Sequence, residues 1–157
     1  MLQDGDKAPD FALPTETGDM VALSSFEGKP VVLYFYPKDD TSGCTLEAKE
    51  FSRLAPDFHA AGAEVIGVSP DSVERHRRFR EKYGLAVRLG ADTDKVVANA
   101  YEVWVERSMY GRKYMGIERS TFLIDGRGRI AKSWRKVKVP GHAEEVLAAV
   151  RALASAS

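Results

Sequence analysis

The chain contains one cysteine among 157 residues, Cys44, and its surroundings could do chemistry. It lies in VVLYFYPKDDTSGCTLEAKEF, residues 31–51, where an apolar run ends in Pro37, charges, Thr41, Ser42 and Gly43 just before a helical pattern begins. A thiolate is a nucleophile and a thiol is not, and a free cysteine has a pKa of about 8.5. A sulfur in the first turn of a helix faces unpaired backbone N–H groups and the positive end of the helix dipole, which favour the anion. Thr41 and Ser42 offer hydroxyls or caps, Gly43 lets a substrate approach the backbone closely, and Pro37 can wall the pocket with an apolar ring. The spacing from Pro37 through Thr41 to Cys44 therefore sets a shield, a hydroxyl and a nucleophile on one short loop. An inert cysteine at an ordinary capped helix start reads equally well from this loop alone, because free cysteines are among the most buried residues.

The flanking elements must hold that loop. Residues 10–13 and 20–26 read as short strands around a TETGD turn, and 30–37 as a strand covered on both faces. Ala48, Phe51, Leu54, Ala55 and Phe58 recur at helical spacing from Cys44 to about Ala61. Residues 63–70 form a second buried strand, followed by a helix capped at Asp71 or Ser72 that runs to about Tyr83 and stops at Gly84. Residues 87–92 suit an edge strand and 93–101 a short helix; 102–118 read as a loop with some strand. Residues 120–137 form a hairpin turning at Asp125-Gly126, and Val146, Leu147, Val150 and Leu153 mark a closing helix. Strands alternating with helices imply a parallel core sheet. With the hairpin added, the expectation is an α/β, thioredoxin-like fold in one domain over 1–157: a central mixed sheet flanked by helices, preceded by an N-terminal β-hairpin. Its site belongs at the carboxyl end of the sheet, where the first buried strand feeds its helix.

Composition narrows the function. Lys plus Arg and Asp plus Glu number 23 each, so the net charge is zero and gives no reason to expect nucleic acid or an anionic membrane as partner. No apolar run approaches the roughly 20 residues of a bilayer span. The N-terminal MLQDGDKAPDF lacks the apolar core of a secretory signal, so the cytoplasm is the expected compartment. One cysteine excludes an intrachain disulfide and a thiolate-rich zinc site, and no metal or cofactor is expected. His59 and His76 read as solvated helix-face residues. His142, after Pro140-Gly141, could pair with Cys44 in an acyl-transferring hydrolase, but no orienting Asn or Asp accompanies it. Asp39 and Asp40 read as solvated loop carboxylates, and the DGRG glycines as a hairpin turn. Trp134 reads as core; Tyr110 or Tyr114 could line an apolar mouth to the pocket.

YFYPKDDTSGCTLEA closely resembles the active-site segment of the peroxiredoxins, nearest the bacterioferritin comigratory protein or peroxiredoxin Q subfamily. GDKAPDFALPTETGD, VIGVSPDSVERHRRF, MYGRKYMGIERSTFLID and WRKVKVPGH extend the resemblance over nearly the whole chain. It implies a thiol-dependent peroxidase that reduces hydrogen peroxide and organic hydroperoxides. Cys44 matches the peroxidatic cysteine, Thr41 the threonine that contacts peroxide, Pro37 the shielding proline, and Arg119 the arginine that pairs with thiolate and peroxide oxygen. The N–H groups of Gly43 and Cys44 would join Arg119 in stabilising the transition state. Ser42 stands where the subfamily usually has proline.

The resemblance also shows what is missing. Many relatives carry a resolving cysteine five residues after the first, where this chain has Lys49. Others carry it on the next helix, where this chain has Arg80. The chain thus resembles the one-cysteine class, whose sulfenic acid needs an external thiol: thioredoxin, glutaredoxin or glutathione. The same chemistry would serve a peroxide sensor or thiol relay with little turnover. A monomer and a dimer are both compatible with the sequence.

Overall fold

The computed structural model describes residues 1–156. Its centre is a five-stranded mixed sheet. Val31–Phe35 (β3) lies in the middle, parallel to Glu64–Ser69 (β4), which is parallel to Arg88–Ala91 (β5) at one edge. On its other side β3 pairs antiparallel with Ser120–Ile124 (β8), and β8 with Ile130–Trp134 (β9). Ala12–Pro14 (β1) and Met20–Ala22 (β2) form the N-terminal hairpin. The expected architecture is therefore present, with β5 at the edge as anticipated.

Every residue of β3 is buried, because both faces of the sheet are covered. Its side chains alternate. Val31, Leu33 and Phe35 join a core with Leu13, Val21, Val97 and Tyr101. Val32, Tyr34 and Tyr36 join a second core with Cys44, Phe51, Phe79 and Val146 on the opposite face. That second face receives Ser42–Arg53 (α1), Ala55–Ala60 (α2), Val73–Tyr83 (α3) and His142–Ala156 (α5).

Four local expectations change. The helix expected from Cys44 to Ala61 is two helices, because Pro56 has no N–H to continue the ladder and the chain bends at Leu54. It also begins two residues before Cys44. Residues Leu23–Phe26 close into a 3₁₀ turn where a strand was expected. Between β5 and β8 come the expected short helix, Val96–Ala100 (α4), and then a regular hairpin, Trp104–Met109 (β6) with Arg112–Ile117 (β7), where a loop with some strand was expected. Most of its side chains are exposed, so it lacks the apolar alternation that reveals a half-buried strand. Its turn residues, Tyr110 and Gly111, both have positive φ, the geometry of a two-residue hairpin turn.

One glycine ties the sheet to the helix that carries the cysteine. Gly67 lies opposite Tyr34 in the β3–β4 register. A Cβ there would come within 2.6 Å of the Tyr34 ring. The missing side chain lets Tyr34 lie flat and stack on Phe51 of α1 at 4.6 Å. Gly67→Ala should displace that ring and lower stability by about 1–3 kcal/mol, the usual cost of overpacking. Urea unfolding checks this; an unchanged midpoint would show that Tyr34 can move freely.

Candidate active site

Cys44 is the third residue of α1 and is 2% exposed. The first-turn N–H groups have no i−4 acceptor inside the helix; the ladder starts with Thr45 donating to the Thr41 carbonyl. Positive potential therefore faces Sγ from the helix mouth. Ser42 is the first helical residue, a position that also accepts proline because its N–H is unbonded in any case.

The second source of positive charge comes from far along the chain. Arg119 sits in the two-residue link between β7 and β8, beside Ser120, which pairs with Phe35 at the carboxyl end of β3. Its Nη2 donates to Cys44 Sγ at 3.3 Å. Gly43 makes this approach possible: a Cβ there would lie 3.2 Å from Arg119 Nη2. Gly43 was expected to let a substrate approach the backbone; in the structure the group that lies close to it is the guanidinium.

Arg119 has a second partner that the residue reading missed. Its Nη1 donates to Glu47 Oε1 at 2.6 Å. Glu47 is three residues after Cys44 and so shares its helix face. That spacing was the available signal. Burial pushes the Glu47 carboxyl up from 4.5 to about 7, while Arg119 holds it back. Burial also works against the charge of Arg119, but Glu47 and Cys44 outweigh it and raise its pKa. Glu47 Oε2 is buried with no hydrogen-bond partner among the described residues. One guanidinium thus spans a sulfur and a poorly solvated carboxyl.

Thr41 is the N-cap residue of α1, but its hydroxyl does not cap the helix. Oγ1 donates to the Lys38 carbonyl at 3.0 Å, which spends its hydrogen and leaves its lone pairs to accept. Pro37 is exposed and lines an open groove of about 510 Å³ together with Arg119, Arg107 and Val137. The loop thus brings Pro37, Thr41, Gly43, Cys44 and Arg119 to one end of the sheet.

Other expectations need correction. His76 is fully buried, with Nδ1 2.6 Å from Asp39 Oδ2, because it lies on the inward face of α3 one turn before Phe79. Asp39 is buried too, not solvated; Asp40 is exposed and bonded to Lys82 and Tyr83. His59 is exposed as expected. His142 is buried and hydrogen-bonded to Thr121 at 2.8 Å. Burial pushes its pKa down to about 4. No hydrogen bond joins it to Cys44 among the described residues, which removes the basis of a Cys–His hydrolase. Trp134 is half-buried against the second core, and Tyr110 is 97% exposed at the β6–β7 turn. Lys49 lies over the Tyr83 ring, and Arg80 pairs with Glu16 of the N-terminal hairpin at 3.5 Å.

Residues 5–133 match the AhpC/TSA family. This chain belongs to that family. It is 50% identical to peroxiredoxin Bcp of Bacillus subtilis over 146 residues, covering 93% of each chain. Peroxiredoxin Bcp of Escherichia coli is 40% identical over 146 residues, covering 93% of this chain and 94% of its own. The solved bacterioferritin comigratory protein of Xanthomonas campestris, described for its alkyl peroxide reduction activity, is 44% identical with a TM-score of 0.90, covering 98% of each chain. The chain is thus a thioredoxin-like peroxiredoxin with a single cysteine: a thiol-dependent peroxidase using a hydroperoxide and a thiol reductant. Peroxiredoxin Q of X. campestris has been solved with Cys→Ser changes at two different positions, so that relative has at least two cysteines.

The burial of Glu47 makes stability depend on pH, because desolvation raises its pKa by more than Arg119 lowers it. The folded pKa of Glu47 lies above its ordinary 4.5, so the folded state holds that proton more tightly. Its stabilising contribution is complete below about pH 4.5 and is lost as pH rises through about 7. His142 has the opposite sign: its contribution is present above about pH 6.5 and is lost as pH falls through about 4. Comparing wild type with Glu47→Gln cancels the histidine. Wild type should lose up to about 3 kcal/mol relative to the variant across the Glu47 window. Parallel stability–pH curves from chemical denaturation would contradict the assignment.

Proposed function

We propose that Cys44 is the peroxidatic nucleophile, acting with Thr41 and Arg119 at the mouth of α1. The observation that carries this is the Arg119 guanidinium directed at Cys44 Sγ across 75 residues of sequence. The thiolate attacks the near oxygen of the peroxide. An S–O bond forms, the O–O bond breaks, sulfur loses two electrons, and the far oxygen leaves as water or alcohol after taking a proton. Thr41 accepts a hydrogen bond from the peroxide through its free lone pairs. Arg119 and the N–H groups of Gly43 and Cys44 stabilise the charge that develops on oxygen. Pro37 shields the approach from bulk water.

The product is a sulfenic acid at a buried position with no second cysteine to trap it. An external thiol completes the cycle: the first thiol condenses with the sulfenic acid, releasing water and forming a mixed disulfide, and a second thiol reduces that disulfide. Thioredoxin, glutaredoxin or glutathione fits this role. The protein works as one domain, as a monomer or a dimer, since the groups named come from one chain. A free thiol that depends on cellular reductants suits the cytoplasm. No helix among the described residues is long and apolar enough to cross a membrane.

A peroxidase assay run in parallel with thioredoxin, with glutaredoxin plus glutathione and with dithiothreitol tests this reading. Steady consumption of hydroperoxide is expected, whereas one equivalent followed by arrest would mark a sensor. Cys44→Ser should abolish consumption, and Thr41→Val should slow it about 10- to 100-fold. An unchanged rate in Thr41→Val would remove the hydroxyl from the mechanism.

Slow resolution at a buried sulfur also predicts overoxidation. Excess peroxide without reductant should convert Cys44 to sulfinic acid, read by mass spectrometry as two added oxygens. A stable single-oxygen adduct at every peroxide dose would argue against it.

A further inference from the structure

The loop from Pro37 to Thr41 is held by a buried polar cluster that the peroxide chemistry above does not use. Asp39 Oδ1 accepts from the Tyr36 hydroxyl at 2.5 Å, and Oδ2 lies 2.6 Å from His76 Nδ1. His76 Nε2 lies 2.9 Å from the Gly90 carbonyl of β5. A carbonyl oxygen only accepts, so Nε2 carries a hydrogen. Nδ1 and Asp39 then share one further proton. The Asp39 N–H donates to Asp71 Oδ2 at 2.8 Å, and Asp71 is itself held by Ser69 and Arg75. His76 and Asp39 are both almost fully buried, 0% and 3% exposed. A side-chain network this well satisfied fixes geometry, and losing one member strands another buried polar group. Within this cluster the Asp39 carboxylate faces His76 Nδ1 and the Asp71 carboxylate accepts from the Asp39 N–H.

The residue before Asp39 supplies the link to the active site. The Lys38 carbonyl receives the Thr41 hydroxyl hydrogen, and that bond decides where the lone pairs of Thr41 point. We propose that His76 is a positioning residue for peroxide: its bond to Asp39 fixes the Lys38 carbonyl, and through it the orientation of Thr41 Oγ1. This rests on the peroxidatic reading of Thr41 and Cys44. Arg119 and the helix mouth, which act on Cys44 Sγ, do not pass through this clamp. The clamp therefore governs reaction with peroxide and leaves the general nucleophilicity of the sulfur intact.

Substitutions at His76 separate its two bonds. Asn places an amide N–H near the position of Nδ1, and Gln places one near Nε2. His76→Asn keeps the bond to Asp39, His76→Gln keeps only the bond to Gly90, and His76→Phe keeps neither. Two rates are measured on each pre-reduced variant: single-turnover oxidation of Cys44 by hydrogen peroxide, and its alkylation by iodoacetamide. Peroxide oxidation should fall about 10- to 100-fold in His76→Gln and His76→Phe, as expected for misplaced reacting groups, and stay within about 3-fold of wild type in His76→Asn. Alkylation should change less than about 2-fold throughout.

Equal peroxide rates in all three variants, or peroxide and alkylation rates falling together, would overturn the proposal. Should the His76 variants fail to fold, Asp39 reads the same bond. In Asp39→Asn the amide can donate to Nδ1 and its oxygen can accept from Tyr36, so the peroxide rate should be kept. In Asp39→Ala it should be lost, again with alkylation spared. An active wild type whose rate ignores both residues overturns the clamp alone. A wild type whose Cys44 is not oxidised by peroxide overturns the peroxidatic reading beneath it.

Discussion

The arrangement depends on one guanidinium brought into contact with a buried sulfur. Arg119 reaches Cys44 with one nitrogen and Glu47 with another. Its rigid planar fork can serve both at once, which a lysine ammonium would do less well. Burial strengthens these contacts, because charges interact more strongly where water is scarce. It also makes them costly to disrupt, since a buried carboxyl without its cation is left unpaired. Glu47 sets how the positive charge is divided. Protonated, it takes only a hydrogen bond; ionised, it competes with the sulfur for the field of Arg119.

That contact needs two independent scaffolds to agree. β3 delivers the loop and the start of α1, and Tyr34 on Phe51 fixes where α1 lies against the sheet. β8 pairs antiparallel with β3, so the residue just before it arrives beside the end of β3, where the loop begins. The cluster of Tyr36, Asp39, Asp71 and His76 then binds the loop to α3 and, through Gly90, to β5. Asp40 adds an outer tether to Lys82 and Tyr83 while holding a left-handed backbone that non-glycine residues rarely adopt. The loop is short, yet it is fixed at almost every residue.

The same rigidity creates a tension within the catalytic cycle. On the proposed reading a small peroxide must reach Cys44, a residue that is 2% exposed, and a thiol carried by another molecule needs more room. Relatives with a second cysteine can meet this need within the chain. Here the two positions where such a cysteine would stand are a lysine over Tyr83 and an arginine paired with Glu16. The bonds proposed to favour reaction with peroxide would therefore oppose the opening that resolution requires.

Local pattern in the chain was enough to determine the order of the five core strands and the main helices, the buried character of residues 31–35 and 65–69, and the placement of Cys44 in the first turn of a helix. Each of these is carried by neighbouring residues: β-branched runs, helical spacing, and Gly84 as a stop. The contact of Arg119 with Cys44 was legible only through resemblance, because their 75-residue separation is bridged by sheet pairing and not by sequence. Glu47 and His76 show the limit most clearly. A glutamate on a helix and a histidine in a charged helix look solvated in one dimension. Only the tertiary structure decided that α1 and α3 turn these side chains inward, because burial is a property of packed faces. Once a polar group is buried its partner must be supplied from another element, here Arg119 for Glu47 and Asp39 for His76.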